Sequence, residues 1–250
     1  MSDFLIKYHD FISAFESLYH LHSSEPIEDI LQLILECLVE KYKISREILL
    51  KSISIASKFN YGSINLYSQI YEKLQDHFSK NQSDQKFEPF RRDVYIGSYR
   101  LNKCFSDNEI DCIIMNDQID KFKEYILHND LKIAQNPGEF TNLEKCAYFG
   151  SVNIFNFILM YFEEKITKIC LHNAIIGRNT DIINECLKTQ HIDGDCFNYA
   201  ISSHNNSFLK YILDHYHEKI YSLVTFYFEK IFHSQNLEAV FLLYMKKILN

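Results

Sequence analysis

Five interruptions in an otherwise helix-patterned stretch constrain this chain more than any other feature. Asp117, Gly150, Arg178, His204 and Gln235 each fall between two short apolar-patterned runs, and successive anchors are 33, 28, 26 and 31 residues apart. Four places before each stands a small or apolar residue: Ile113, Cys146, Ala174, Ala200 and Ile231. Recurrence at about 20–50 residues marks a repeat array, in which each unit has an apolar face that only a neighbour can cover. The clearest unit runs from Leu143 to Leu159: a short helix, a tight turn at Gly150, and a second helix running back.

The supply of chain breakers agrees. Six Gly and three Pro among 250 residues fall far below the usual ~12%. A β-sandwich, with a turn every ~8–12 residues, could not be punctuated so sparsely. The prediction is an all-α protein. At 47% hydrophobic and 24% charged residues, it is a folded chain long enough to bury a sizeable core.

The first eighty residues carry a different helical pattern. Phe4, Tyr8, Phe11, Phe15 and Leu18 are spaced 4, 3, 4, 3 and share one helix face. A second helix is expected from Ser24-Glu25-Pro26 to about Tyr42, with Pro26 in its first turn. A third follows, capped by Ser45. Asn60-Tyr61-Gly62 is a turn signal, and Ile64 to Leu74 supply a fourth helix. Residues 79–86 contain no apolar side chain, and Val94-Tyr95-Ile96 fits a strand, a helical turn or packed coil. The expected organisation is a four-helix N-terminal bundle over 1–78, a polar linker and ambiguous segment over 79–103, and an α-solenoid of about five hairpins over 104–250.

The repeated units resemble ankyrin repeats. Thr141-Asn142-Leu143, Cys146-Ala147 and Gly150 follow the ankyrin order, with Asn142 in place of Pro and Glu144 in place of His. Leu171-His172-Asn173-Ala174 keeps the Leu-His and one Ala. More narrowly, Ala147-Tyr148-Phe149-Gly150-Ser151-Val152-Asn153-Ile154-Phe155, Asp193-Gly194-Asp195-Cys196-Phe197-Asn198-Tyr199-Ala200 and Ile113-Ile114-Met115-Asn116-Asp117 resemble the divergent ankyrin-repeat family expanded in trichomonad protists. The likeness covers roughly 105–245, and 1–80 more loosely. It departs from ordinary ankyrin stacks in two ways. Spacings of 28 and 26 leave less room for projecting β-hairpin fingers, and four of the five turns lack Gly, which makes a left-handed backbone there less comfortable.

The resemblance implies a non-catalytic scaffold that binds another protein. By analogy with ankyrin stacks, the residues just before each turn face the partner: Tyr148, Phe149, Ile176, Ser202, Ser203 and His233 are the candidates. The alternatives are a purely structural solenoid subunit and, behind it, an enzyme or a DNA-binding protein. A net charge of −7, with neither part of the chain strongly basic, gives phosphate backbones no face to bind. His20-x-His22 and His215-x-His217 point to different sides of a helix and lack the partner residues of a metal motif. No phosphate-binding Gly loop occurs, and Asp193-Gly194-Asp195 reads as a helix cap. The sequence implies no cofactor and no metal. Seven cysteines at 37, 104, 112, 146, 170, 186 and 196 form no Cys-x-x-Cys pair, which fits reduced thiols in the cytoplasm. Lys7, His9 and Asp10 interrupt the opening apolar residues, and no stretch is apolar enough for a membrane span.

Overall fold

The structure is a computed structural model that describes residues 6–22, 24–79, 90–91, 94–96, 99–101, 109–129, 139–216 and 224–246. It is all-α apart from one short ribbon among these residues, β1 (Val94–Ile96) antiparallel to β2 (Tyr99–Leu101), which pairs Tyr95 with Arg100. The polar stretch 80–89, and with it nearly all of the expected linker boundary, lies outside the described residues. The chain divides into two compact units, 1–92 with 201–250 and 93–200. The region 104–250 is thereby shared between them, parting at Ala200–Ile201.

In the first unit, α1 (His9–Tyr19) buries Phe15, Leu18 and Tyr19 against its neighbours. Helix α2 (Ile27–Leu33) starts after Pro26, which is its N-cap rather than a first-turn residue, and continues as a π-helical stretch, Ile34–Lys41. Ser45 caps α3 (Arg46–Phe59) by accepting from the Ile48 amide at 3.4 Å. A single 3-10 turn, Tyr61–Ser63, then leads into α4 (Ile64–Ser79). Asn60 Nδ2 and Ser63 Oγ both donate to the Leu21 carbonyl, and Tyr67 Oη donates to Leu18 at 2.6 Å. These bonds tie the α3–α4 corner to the end of α1. Lys73, the only Lys or Arg on α4, is paired with Glu28 at 2.9 Å.

The same unit contains α12 (Asn206–His215), α13 (Val224–Ser234) and α14 (Leu237–Met245), with α13 packed on α3 and α14 packed on α12. His204 anchors them. Its ring stacks on Tyr19 with centroids 3.8 Å apart, Nδ1 meets Glu16 Oε1 at 2.6 Å, and Nε2 meets the Ser234 carbonyl at 2.8 Å. Asn206 Nδ2 donates to both Glu16 and Glu238. A buried imidazole so saturated fixes three helices at one point.

In the second unit, α5 (Ile110–Met115) pairs with α6 (Ile119–His128), α7 (Asn142–Phe149) with α8 (Val152–Tyr161), and α9 (Lys168–Gly177) with α10 (Thr180–Leu187). Helix α11 begins at Gly194 and runs to Ser202. First helices touch in the order α5, α7, α9, and second helices in the order α6, α8, α10. Flanked on two sides, α7 is buried from Asn142 to Tyr148, including Lys145, which pairs with Asp111 at 2.5 Å. Thr141 and Glu144 form a reciprocal capping box at its start. In α9 the cap is Thr167, accepting from Cys170. Cys170, rather than His172, therefore holds the place three residues after the cap that Glu144 holds in α7.

All five anchors are left-handed, with φ of 48° at Asp117, 74° at Gly150, 56° at Arg178, 58° at His204 and 57° at Gln235. At the four non-Gly positions this conformation costs about 1–2 kcal/mol each. The compensation is local and repeated. The amides of Gln118, Ser151 and Asn236 donate to the carbonyls of Ile113, Cys146 and Ile231, closing the six-residue bond of a Schellman turn. The acceptor is in each case the residue four before the anchor. Immediately after three anchors comes an asparagine that caps the second helix: Asn179 accepts from Asp181 and Ile182, Asn205 from Phe208, and Asn236 from Ala239.

The residue after the anchor also reaches back to the preceding turn. Ser151 Oγ donates to the Ile114 carbonyl, Asn179 Nδ2 to Gly150, and Asn236 Nδ2 to Ile201. Asn236 is 1% exposed. Asn236→Ala removes both a cap and a buried donor, so it should destabilise the protein by about 2–3 kcal/mol in urea melts. Gly177 tests the close approach of α9 to α7. A Cβ there would lie 2.5 Å from the Tyr148 carbonyl oxygen and 2.7 Å from that of Ala147. Gly177→Ala should therefore cost about 1–3 kcal/mol, although helix propensity alone favours Ala by about 1 kcal/mol.

Candidate partner-binding surface

The six residues expected to face a partner divide three to each unit, and they do not share one environment. In the second unit Tyr148 and Ile176 are buried at 3% and 0% exposure, while Phe149 is half-buried. In the first, Ser203 is buried, and Ser202 and His233 are half-buried. Tyr148, Ile176 and Ser203 thus do not lie on an open face. The reason for Tyr148 and Ile176 is the packing of α7 against α9, which encloses both helices up to their last turns. Tyr148 lies between Phe140, at 6.4 Å, and Phe149, edge-on at 4.9 Å. Of that aromatic pair only Phe149 keeps an accessible edge.

The larger apolar surface lies at the far ends of the second helices. Leu127 on α6 is 81% exposed, and Met160 and Tyr161 at the end of α8 are 72% and 65% exposed. Phe157 organises the α8 cluster. Its ring sits 4.6 Å from Tyr161 and 6.1 Å from both Phe162 and Phe122, with Lys123 Nζ 5.6 Å above it. Within the first unit, Tyr244 and Met245 close α14 in the same exposed manner. That unit also holds an apolar cavity of about 200 Å³ lined by Phe11, Ile231, Phe232, Gln235, Leu237 and Val240. The sequence signal for these surfaces was present as Leu127, Met160-Tyr161-Phe162 and Tyr244-Met245. Periodicity alone does not separate an apolar residue at the end of a helix from one in its core.

The polar groups are engaged in structural roles. Asp193 caps α11 by accepting from the Cys196 amide at 2.9 Å, as its place before Gly194-Asp195 suggests. Its carboxylate also receives Lys168 at 2.5 Å and faces His172 Nε2 at 3.3 Å. The Lys168 ammonium and the Cys196 amide hold that carboxyl well below the usual range against the opposing effect of burial. Six cysteines, all but Cys104, are among the described residues, and all six are buried thiols outside any disulfide. Burial pushes Cys170 up to about 11 and Cys186 and Cys196 up to about 12. At neutral pH they are protonated, small apolar side chains rather than nucleophiles. His20 contacts Glu16 at 3.7 Å and His215 the Tyr211 carbonyl at 2.9 Å, whereas His217 lies outside the described residues. None of the described helices is long and apolar enough to cross a membrane.

A family model described as a domain of unknown function, DUF3447, matches residues 162–244. This is a third of the chain, from the end of α8 through most of α14. No curated protein and no solved structure matches the chain.

The register of the turns, on which any assignment of surface depends, is open to a direct test. Ala200, four before an anchor, is fully buried, and Ser202, two residues on in the same helix, is half-buried. Ala200→Leu should destabilise the protein by about 1–3 kcal/mol through overpacking. Ser202→Leu should change stability by no more than about 0.5 kcal/mol. Urea melts of the full chain decide between them, since both place Leu in one helix and propensity cancels.

Proposed function

We propose that this chain is a non-catalytic cytoplasmic scaffold that binds another protein through a stack of ankyrin-like helical hairpins. The observation that carries the reading is the exposed cluster at the end of α8. Met160 and Tyr161 project from a helix whose other face is buried in the core, and Phe157 holds the Tyr161 ring in place. Large apolar and aromatic side chains held rigidly at a surface are the usual anchors of protein interfaces. The left-handed turns at recurring spacing, three of them followed by an asparagine-capped second helix, support the ankyrin-like part of the reading. So does the close contact of first helix with first helix. The likeness to the divergent trichomonad ankyrin proteins belongs to the same proposal and rests on the order of the motifs.

In this scheme the α8 cluster supplies the energy of the interface, and Phe149 is the turn-proximal candidate in the same unit that keeps an accessible edge. Tyr148→Ala would be a poor probe, because truncating a buried aromatic destabilises the fold by about 3–5 kcal/mol. Met160→Asp/Tyr161→Asp is the informative variant, since both side chains are mostly in solvent. Affinity capture from native lysate should lose a defined partner with this variant, while its urea-melt stability stays within about 0.5 kcal/mol of wild type. An unchanged set of captured proteins would move the interface away from α8.

A further inference from the structure

His172, Asp193 and Cys196 lie 21 and 3 residues apart along the chain, yet their donor atoms all fall within 4.8 Å of one another. From this geometry we infer a three-donor site for a borderline divalent metal such as Zn²⁺, bound by His172 Nε2, the Asp193 carboxylate and Cys196 Sγ, with water in the fourth position.

Two elements build the site. Asp193 and Cys196 are locked together at the start of α11 by the cap bond of 2.9 Å, and α9 carries His172 opposite them. The imidazole is 13% exposed and packs against Tyr199, with ring centroids 5.3 Å apart. A tetrahedral ion at about 2.0–2.3 Å from N, O and S donors sets them about 3.4–3.8 Å apart. The present spread, within 4.8 Å, exceeds that by about 1 Å. The contact of His172 Nε2 with Asp193 Oδ1, at 3.3 Å, is longer than the ~2.7–2.9 Å of a charge-assisted hydrogen bond. The ring faces the carboxylate without engaging it closely.

The charge arrangement fits as well. Lys168 Nζ holds the Asp193 carboxylate at 2.5 Å, but that side chain is 56% exposed. An ammonium there occupies the place of a cation, and it can swing into water when an ion arrives. The Cys196 proton leaves to the buffer on binding, because a metal deprotonates the thiol that ligates it. A mixed N, O, S donor set selects Zn²⁺ or Co²⁺ over the hard ions Mg²⁺ and Ca²⁺. Sequence spacing could not show this site, since His172 and Cys196 belong to different helix pairs and match no ligand motif.

Co²⁺ titrated into the full-length protein tests the inference, read by the near-ultraviolet thiolate-to-cobalt charge-transfer band. The wild type should develop that band to saturation at one equivalent, and Zn²⁺ should abolish it by competition. Cys196→Ala should remove the band. His172→Ala, which is not fully buried and keeps the thiol, should weaken Co²⁺ binding at least about tenfold. Lys168→Met should tighten it, because the competing ammonium is gone. Circular dichroism of each variant separates loss of the ligand from loss of the fold. Absence of the band in wild type, its persistence in Cys196→Ala, or an unchanged Co²⁺ affinity in His172→Ala would overturn the site and leave an Asp193 cap with its lysine.

Discussion

One interaction recurs between helix pairs: a short polar side chain just after a turn donates a hydrogen bond back to the previous turn. Asn179 does this to Gly150 and Asn236 to Ile201, while Ser151 makes the same donation to Ile114. A turn buried between neighbours exposes carbonyls that the helix cannot satisfy internally, and each would cost about 1–3 kcal/mol if left unpaired. Because these side chains are short, they also fix the distance between turns. The close contact of first helices, down to the Gly177 backbone against Ala147 and Tyr148, follows from that spacing.

The left-handed anchors belong to the same arrangement. Only Gly150 adopts such a backbone without cost, yet Asp117, Arg178, His204 and Gln235 adopt it too. At two of these positions the side chain has a further use that Gly could not supply. Asp117 accepts from the Asn153 and Ile154 amides at the start of α8, and His204 makes the stacked, doubly bonded contact with Tyr19, Glu16 and Ser234. The local strain is offset by bonds made to other segments.

Much of this was legible beforehand. The five anchors are found at the positions where the apolar pattern broke, and the residues four before them are buried, from Ala174 and Ala200 at 0% to Ile231 at 6%. Ser45 and the 3-10 turn after Asn60 also stand where expected. The asparagines at 179, 205 and 236 were in plain view, but a single polar residue after a turn has no distinctive period. The open face was misplaced at Tyr148, Ile176 and Ser203, because whether a helix is covered on one side or two depends on its neighbours and not on its own sequence. The approach of His172 to Cys196, and of His204 to Glu16 across 188 residues, involves separations that no local pattern encodes.

That last separation has a consequence for how the protein is made. Residues 1–92 and 201–250 form one compact unit interrupted by 93–200. On a ribosome adding about 5–20 residues per second, the first helices wait roughly 5–20 s for the segment that covers Glu16 and Tyr19. During that interval the apolar stripe of α1 can pack on the helices up to α4, but the Glu16 carboxylate and the Tyr19 ring lack His204, whereas the continuous unit 93–200 draws on nearby chain alone and can close as it emerges. The order of completion therefore runs against the order of synthesis: the middle of the chain finishes before its beginning. A chain stopped anywhere before His204 leaves its N-terminal helices without the imidazole that completes them.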